Sequence, residues 1–233
     1  MKDILIDAGD KETQRIFEEQ GEAHLLASID TPLKADAFQL SEEEKIQKIE
    51  AHFREILDII GLDLTDDSLK GTPHRVAKMY VKEIFSGLNP ANKPAMTLFD
   101  NKYQYDQMLI EKNIKVQSTC EHHFLPIFGF AHVAYISSGK VIGLSKINRI
   151  VQHYAKRPQV QERMTRQILE ELKLALGTQD VAVYVDSKHM CVMSRGIQDV
   201  NSSTITTAFS GKFEQESYRK EFFTAIQVSA DKF

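Results

Sequence analysis

The chain of 233 residues is 42% hydrophobic and 27% charged, enough apolar material for a sizeable core and too much for a disordered polymer. Its formal charge of −4 gives no general basic field for nucleic acid or anionic lipid, so any anion must be gripped locally. Apolar runs such as Ile56 to Leu62, broken by Asp58 and Gly61, fall far short of the ~18 residues of a membrane span.

Met1-Lys2-Asp3 lacks the apolar run of a secretory signal, which makes the cytoplasm the expected compartment. Residues 1–50 carry a net charge of −7 and the remainder +3. Patchy periodicity up to Pro32 marks residues 1–40 as an acidic, partly helical appendage. A helical region is expected over 41–95. Ser41 and Glu44 form a capping box, and Ile46, Ile49, Phe53, Ile56, Leu57 and Ile60 follow at helical spacing up to Gly61. Thr72-Pro73, read as an N-cap followed by proline at the first helical position, opens a second helix through Val76, Met79, Tyr80, Ile84 and Phe85 to Gly87.

From residue 96 the period changes to two. Met108, Ile110, Ile114 and Val116 alternate with Glu111, Asn113, Lys115 and Gln117, a long half-buried strand. Further strands are expected at 129–136, 141–144, 181–185, 203–209 and 222–228, with helices at 145–156 and 158–176. Grouped helices and consecutive strands favour an α+β domain with an antiparallel sheet over 96–233.

The densest chemistry is Cys120-Glu121-His122-His123 at the end of the long strand, matched by His189-Met190-Cys191 after a later one. Two cysteines this far apart in a reducing compartment are buried thiols or ligands rather than a disulfide. Singly, each thiol or imidazole is more often an ordinary core residue. Together they offer two sulfurs and up to three ring nitrogens, and a Cys2His set leaves zinc an open position. Ser145, Lys146 and Arg149 at a helix start suit phosphate, and Arg75, Lys78 and Arg195 can add to it. Glu162, beside Gln161, suits the paired N–H donors of a guanine edge, although a carboxylate in a first helical turn also satisfies the helix dipole.

Five segments then resemble the GTP cyclohydrolase I family, in that family's order. They are Asp66-Asp67-Ser68 with Thr72-Pro73-His74-Arg75, Cys120-Glu121-His122-His123, Ser145-Lys146-Ile147-Asn148-Arg149, Arg157-Pro158-Gln159-Val160-Gln161-Glu162-Arg163, and Cys191-Val192-Met193-Ser194-Arg195-Gly196. The resemblance covers about residues 41–230 and implies the tunnelling fold: an antiparallel sheet with helices packed on one face, preceded by N-terminal helices. It further implies pentamers stacked into a homodecamer with active sites at subunit boundaries.

Residue by residue, the resemblance makes Cys120, His123 and Cys191 ligands of Zn2+, and His122 and His189 an acid–base pair. Glu162 and Gln161 would hold guanine, while Arg75, Lys78, Ser145, Lys146, Arg149 and Arg195 would receive the triphosphate and ribose. The implied reaction hydrolyses GTP at purine C8, releases formate and yields 7,8-dihydroneopterin triphosphate, first in the route to tetrahydrofolate. A zinc nucleobase deaminase is disfavoured because its C-x-x-C pair is absent. A purely structural zinc site would need a fourth protein ligand.

Overall fold

The computed structural model describes residues 30–227, so most of the acidic appendage lies outside the described residues. Helix α1 (Glu42–Ile60) carries both capping-box bonds, Glu44 N to Ser41 Oγ (3.2 Å) and Ser41 N to Glu44 Oε2 (2.8 Å). It ends at Gly61, whose φ of 92° is the left-handed geometry that glycine adopts without a steric cost.

Helix α2 (Thr72–Met79) departs from expectation at both ends. Its N-cap is Gly71 rather than Thr72, and the Thr72 hydroxyl accepts from Arg75 (3.0 Å) instead of from the backbone. The predicted single helix to Gly87 gives way to a wide π turn, Tyr80–Ile84, closed by Phe85 N to Tyr80 O (3.1 Å). The widened turn accompanies a stack of Tyr80 on Phe85 at 5.4 Å, both rings also meeting Phe124. Side-chain packing here overrides helical periodicity.

Strands β1 (Leu98–Asp100) and β4 (Lys140–Ile142) form a small antiparallel pair. The main sheet contains β2 (Met108–Cys120), β3 (Pro126–Ile136), β5 (Pro158–Gln159), β6 (Val181–His189) and β7 (Thr204–Phe209), in the order β5-β2-β3-β6-β7. The expected antiparallel pairing holds except for the two-residue β5, which runs parallel to β2. A bulge between Glu111 and Ile114 puts Asn113 at φ 60° and lets its N–H donate to His132 Nδ1 (3.3 Å).

Alternation decides which helices cover which face. Val133, Tyr135, Val181, Val183 and Val185 turn toward α3 (Leu144–Ala155) and α4 (Gln161–Leu176). Those helices bury Ile147, Ile150, Val151, Met164, Ile168 and Leu172, each contributing about 1.5–3 kcal/mol of apolar burial for its larger side chains. Ala134, Ile136 and Ala182 turn the other way, onto Phe213 and Phe222. Phe222 belongs to a helix, α6 (Glu216–Gln227), which corrects the strand expected over 222–228 and sets one helix against the face opposite α3 and α4. Tyr218, Phe222 and Ile226 recur every four residues, the helical spacing that a short apolar run had masked.

Helix α4 also begins later than expected. Pro158 and Gln159 are extended, and Val160 (φ −99°, ψ 145°) is the N-cap, which leaves Gln161 and Glu162 as the first two helical residues. Between β6 and β7 a single helical turn, α5 (Met190–Met193), carries Cys191. Among the described residues no helix is long and apolar enough to cross a membrane.

The N-terminal helical region docks on the end of α3. A Cβ on Gly87 would lie 2.0 Å from His153 O, so only glycine permits the approach that lets Gly87 N donate to Lys156 O (2.9 Å). Arg157 Nε returns a bond to Gly87 O (2.9 Å), and Arg157 NH2 donates to His153 Nε2 (2.8 Å). His153 is only 7% exposed, and burial, followed by the Arg157 charge, pushes its pKa down to about 4 from 6.5. Above pH 6.5 folded and unfolded chains both hold the imidazole neutral. Below it the unfolded chain binds a proton that the folded chain refuses until about pH 4, so stability falls through that window by about 3 kcal/mol. Urea unfolding of the wild-type chain between pH 7 and 4 is expected to show this loss, and His153→Gln to lack it; equal slopes for the two would refute the assignment.

Candidate metal and nucleotide site

Strand register creates the site. Ser118 pairs with Ile127, and Ile127 pairs with His189, so the end of β2, the start of β3 and the end of β6 lie side by side. Beyond Cys120 the chain turns tightly: Phe124 N donates to Cys120 O (2.9 Å), Cys120 N to Leu125 O (2.8 Å), and Phe124 takes a φ of 54°. Phe124 is held in that strained geometry by its edge contacts with Tyr80 (6.4 Å) and Phe85 (5.4 Å).

The ligand atoms of Cys120, His123 and Cys191 all lie within 4.8 Å of one another. A zinc ion with bonds of about 2.0–2.3 Å would draw such atoms to roughly 4 Å apart, so the group is nearly collected already. Its chemistry fits a soft divalent cation. Burial, and then the adjacent Cys120 sulfur, push the Cys191 thiol up, because two neighbouring thiolates are unfavourable without a positive charge between them. Among the described residues this group has three donors, one short of a closed tetrahedral set.

Two further imidazoles flank it. His122 Nδ1 lies 3.7 Å from Cys120 Sγ, and its ring is 6.4 Å from that of His123. His189 Nε2 is 2.8 Å from Gln161 Oε1. The Gln161 amide nitrogen faces three acceptors, Val185 O (3.2 Å), Thr204 O (2.8 Å) and Thr206 Oγ1 (3.2 Å). That fixes the amide orientation, makes its oxygen an acceptor, and leaves the His189 proton on Nε2 with Nδ1 unprotonated. Burial lowers the His189 pKa, and the nearby Glu162 carboxylate partly opposes this.

Of the pair expected to meet a base, then, only Glu162 presents an exposed side chain. Gln161 is 1% exposed, with its amide bonded internally. Arg195 NH1 lies 3.1 Å from His123 Nε2, bringing a cation against the thiol–imidazole group.

The other cations are elsewhere. Arg75 and Lys78 are exposed on α2, where Arg75 donates to Ser68 O (3.0 Å) and Thr72 Oγ1 (3.0 Å). Ser145, Lys146 and Arg149 occupy the first turns of α3. Asn148 contacts Glu111 (3.3 Å) and Gln152 contacts Lys115 O (2.5 Å), so α3 runs alongside β2 in the same direction. From Glu111 to Cys120 is about 25–30 Å of strand. Within one chain, the α3 cations therefore sit at the far end of β2 from the cysteines.

One ion pair at the site escaped sequence reasoning. Arg163 forks onto Glu121, NH1 to Oε2 at 2.5 Å and NH2 to Oε1 at 3.2 Å. The available signal was position: Arg163 lies on the buried side of α4 beside Met164 and Gln167, where an unpaired charge is untenable.

The GTP cyclohydrolase I family profile matches residues 49–227. The GTP cyclohydrolase 1 of Flavobacterium johnsoniae is 60% identical over 212 residues, 91% of this chain and 95% of that relative. The GTP cyclohydrolase 1 of Aeromonas salmonicida is 54% identical over 200 residues, 85% of this chain and 91% of the relative. A solved structure, the archaeosine synthase QueF-Like in the apo form, is similar at a TM-score of 0.38 and 22% identity, covering 45% of this chain and 93% of that one.

Replacing either Cys120 or Cys191 with alanine is expected to reduce bound zinc, measured by elemental analysis after desalting, to near background. Stoichiometric zinc in either variant would remove that cysteine from the ligand set.

Proposed function

The chain belongs to the GTP cyclohydrolase I family, and we propose that it hydrolyses GTP at purine C8 with zinc held by Cys120, His123 and Cys191. The products are formate and 7,8-dihydroneopterin triphosphate, the latter an entry to pterin and tetrahydrofolate synthesis. The observation that carries this reading is a three-donor thiol–imidazole group flanked by His122 and His189. The bound ion supplies Lewis acidity that makes water nucleophilic near neutral pH.

The remaining roles fall to the chain's own side chains. Glu162 accepts from N1–H and the exocyclic amine of guanine and turns C8 toward the cysteines. His122 gives a proton to N7 as water attacks, which makes C8 electrophilic. Cleavage of the two C8–N bonds frees formate. His189, with Nε2–H committed to Gln161, offers Nδ1 to exchange a proton with the opening ribose, and Amadori rearrangement and ring closure follow. Gln161 thus acts through His189 rather than on the base. Arg195 serves the ribose and phosphate side of the same pocket.

The separation of the α3 cations from the cysteines supports sites completed between chains: Ser145, Lys146 and Arg149 of one subunit would bind the triphosphate in a neighbour's pocket, joined by Arg75 and Lys78. We take the sheet as the tunnelling fold, with β7 and the outer edge of β2 pairing with adjacent copies in pentamers that stack into a decamer. Support comes from the edge position of β7 and from exposed apolar side chains on α1, where Ile59 is 83% and Ile60 66% exposed.

Purified protein incubated with GTP is expected to develop pterin absorbance and stoichiometric formate, both abolished by a chelator and restored by zinc. Ammonia in place of formate would make it a deaminase. Glu162→Ala is expected to lower kcat/KM for GTP by about 10²–10⁴-fold, since two charge-assisted bonds are lost, while zinc content stays unchanged. Undiminished efficiency would exclude Glu162 from base recognition.

A further inference from the structure

We infer that the Glu121–Arg163 pair is a positioning device that holds the metal-binding turn against the start of α4 and keeps the Glu121 carboxylate away from the ion. The inference rests on the zinc reading above and concerns two residues that have no part in the reaction itself. Glu121 stands directly between Cys120 and the two histidines, so its placement sets the course of the turn. It is tied twice. Its N–H donates to Gln159 O (3.0 Å), extending the parallel pairing of Thr119 with Pro158 and Cys120 with Gln159. Its carboxylate takes both terminal nitrogens of Arg163 at 2.5 and 3.2 Å. One tie fixes position; the bidentate fork adds direction.

The anchoring helix matters as much as the turn. Arg163 follows Glu162, and Gln161 of the same turn grips His189. A shift of the turn relative to α4 would therefore misalign the ligands, the base-recognising carboxylate and His189 together.

A simple stabilising ion pair is a poorer account. The Arg163 and Glu121 side chains are only 9% and 23% exposed, and Arg163 Nε is buried without a hydrogen-bond partner. Desolvating two charges while leaving a donor unsatisfied is a poor route to stability. Carboxylate is, moreover, a competent zinc ligand. With both oxygens on Arg163, Glu121 stays outside the Cys120–His123–Cys191 group, which retains its three-donor composition.

The test compares wild-type holoenzyme with Glu121→Met/Arg163→Met, which keeps bulk but removes both charges, and with Arg163→Lys, which keeps charge but loses the fork. Thermal midpoint, zinc release to excess EDTA, and the visible spectrum of the cobalt-substituted protein are recorded alongside turnover. The double variant is expected to melt near wild type, release zinc about 10–100-fold faster and show an altered cobalt band, with Arg163→Lys intermediate. Wild-type release and spectrum in the double variant, whatever its melting point, would overturn the inference. If the double variant does not fold, Arg163→Lys decides alone: faster release supports the positioning role and unchanged release refutes it. A wild-type chain that takes up no zinc overturns the metal reading and this inference with it, and that outcome is visible without any variant.

Discussion

The antiparallel register of β3 with β6 is the constraint on which the rest depends. Cys120 and Cys191 are far apart in sequence, and they meet because Ile127 opposes His189 while Ser118 opposes Ile127. A slip of one residue along β6 would reverse its faces, sending Val181, Val183 and Val185 out of the core. The same slip would carry His189 and α5 away from the β2–β3 turn. Burial of the three valines is thus what fixes where Cys191 stands.

Strand ends are natural places for such chemistry. Within the sheet the central strands β3 and β6 are paired on both sides, and α3 and α4 pack one face while Phe213 and Phe222 cover part of the other. At the β2–β3 turn the ladder stops, and the donors of Cys120 and His123 project from a backbone that is still held by two short-range bonds. The aromatic contacts of Phe124 with Tyr80 and Phe85 close the turn from outside. A rigid scaffold and donors that run from buried Cys120 to exposed His123 are both present within a few residues, which suits metal binding.

Much of this was legible in the amino-acid order, and the exceptions share a cause. The Ser41–Glu44 capping box depends on local spacing and appears as expected, whereas β2 alternates on each side of its bulge but changes face there, Met108 and Ile110 packing toward Phe213 and Phe222 and Ile114 and Val116 toward α3 and α4. The Cys-x-x-His spacing is local too, and Cys191 joins it through the sheet register. The π turn after Met79, the late start of α4 and the helical C-terminus depend on partners remote in sequence. Tyr80 answers to Phe124, Pro158 and Gln159 answer to β2, and Phe222 answers to Phe213. Gln161 shows the same limit at the site. Its residue type suits a base edge, yet three acceptors on β6 and β7 claim its amide. Spacing names the side chains gathered at a site but not the one that each will bond.

The distribution of charge along β2 carries the argument from one chain to several. A phosphate group needs its cations within a few ångströms, since attraction in water is weak beyond that range. Asn148 and Gln152 pin α3 beside β2, so side-chain motion cannot bring Ser145 and Lys146 across about 25–30 Å to the cysteines. Either those residues serve no part of the reaction, or a second copy brings them to the pocket. In the proposed assembly, the edge strands that join copies would also bring one chain's α3 cations to another chain's metal turn. Strand pairing between subunits would then be a condition of catalysis as well as of stability, because each pocket would stay short of phosphate-binding charge until its neighbour docked.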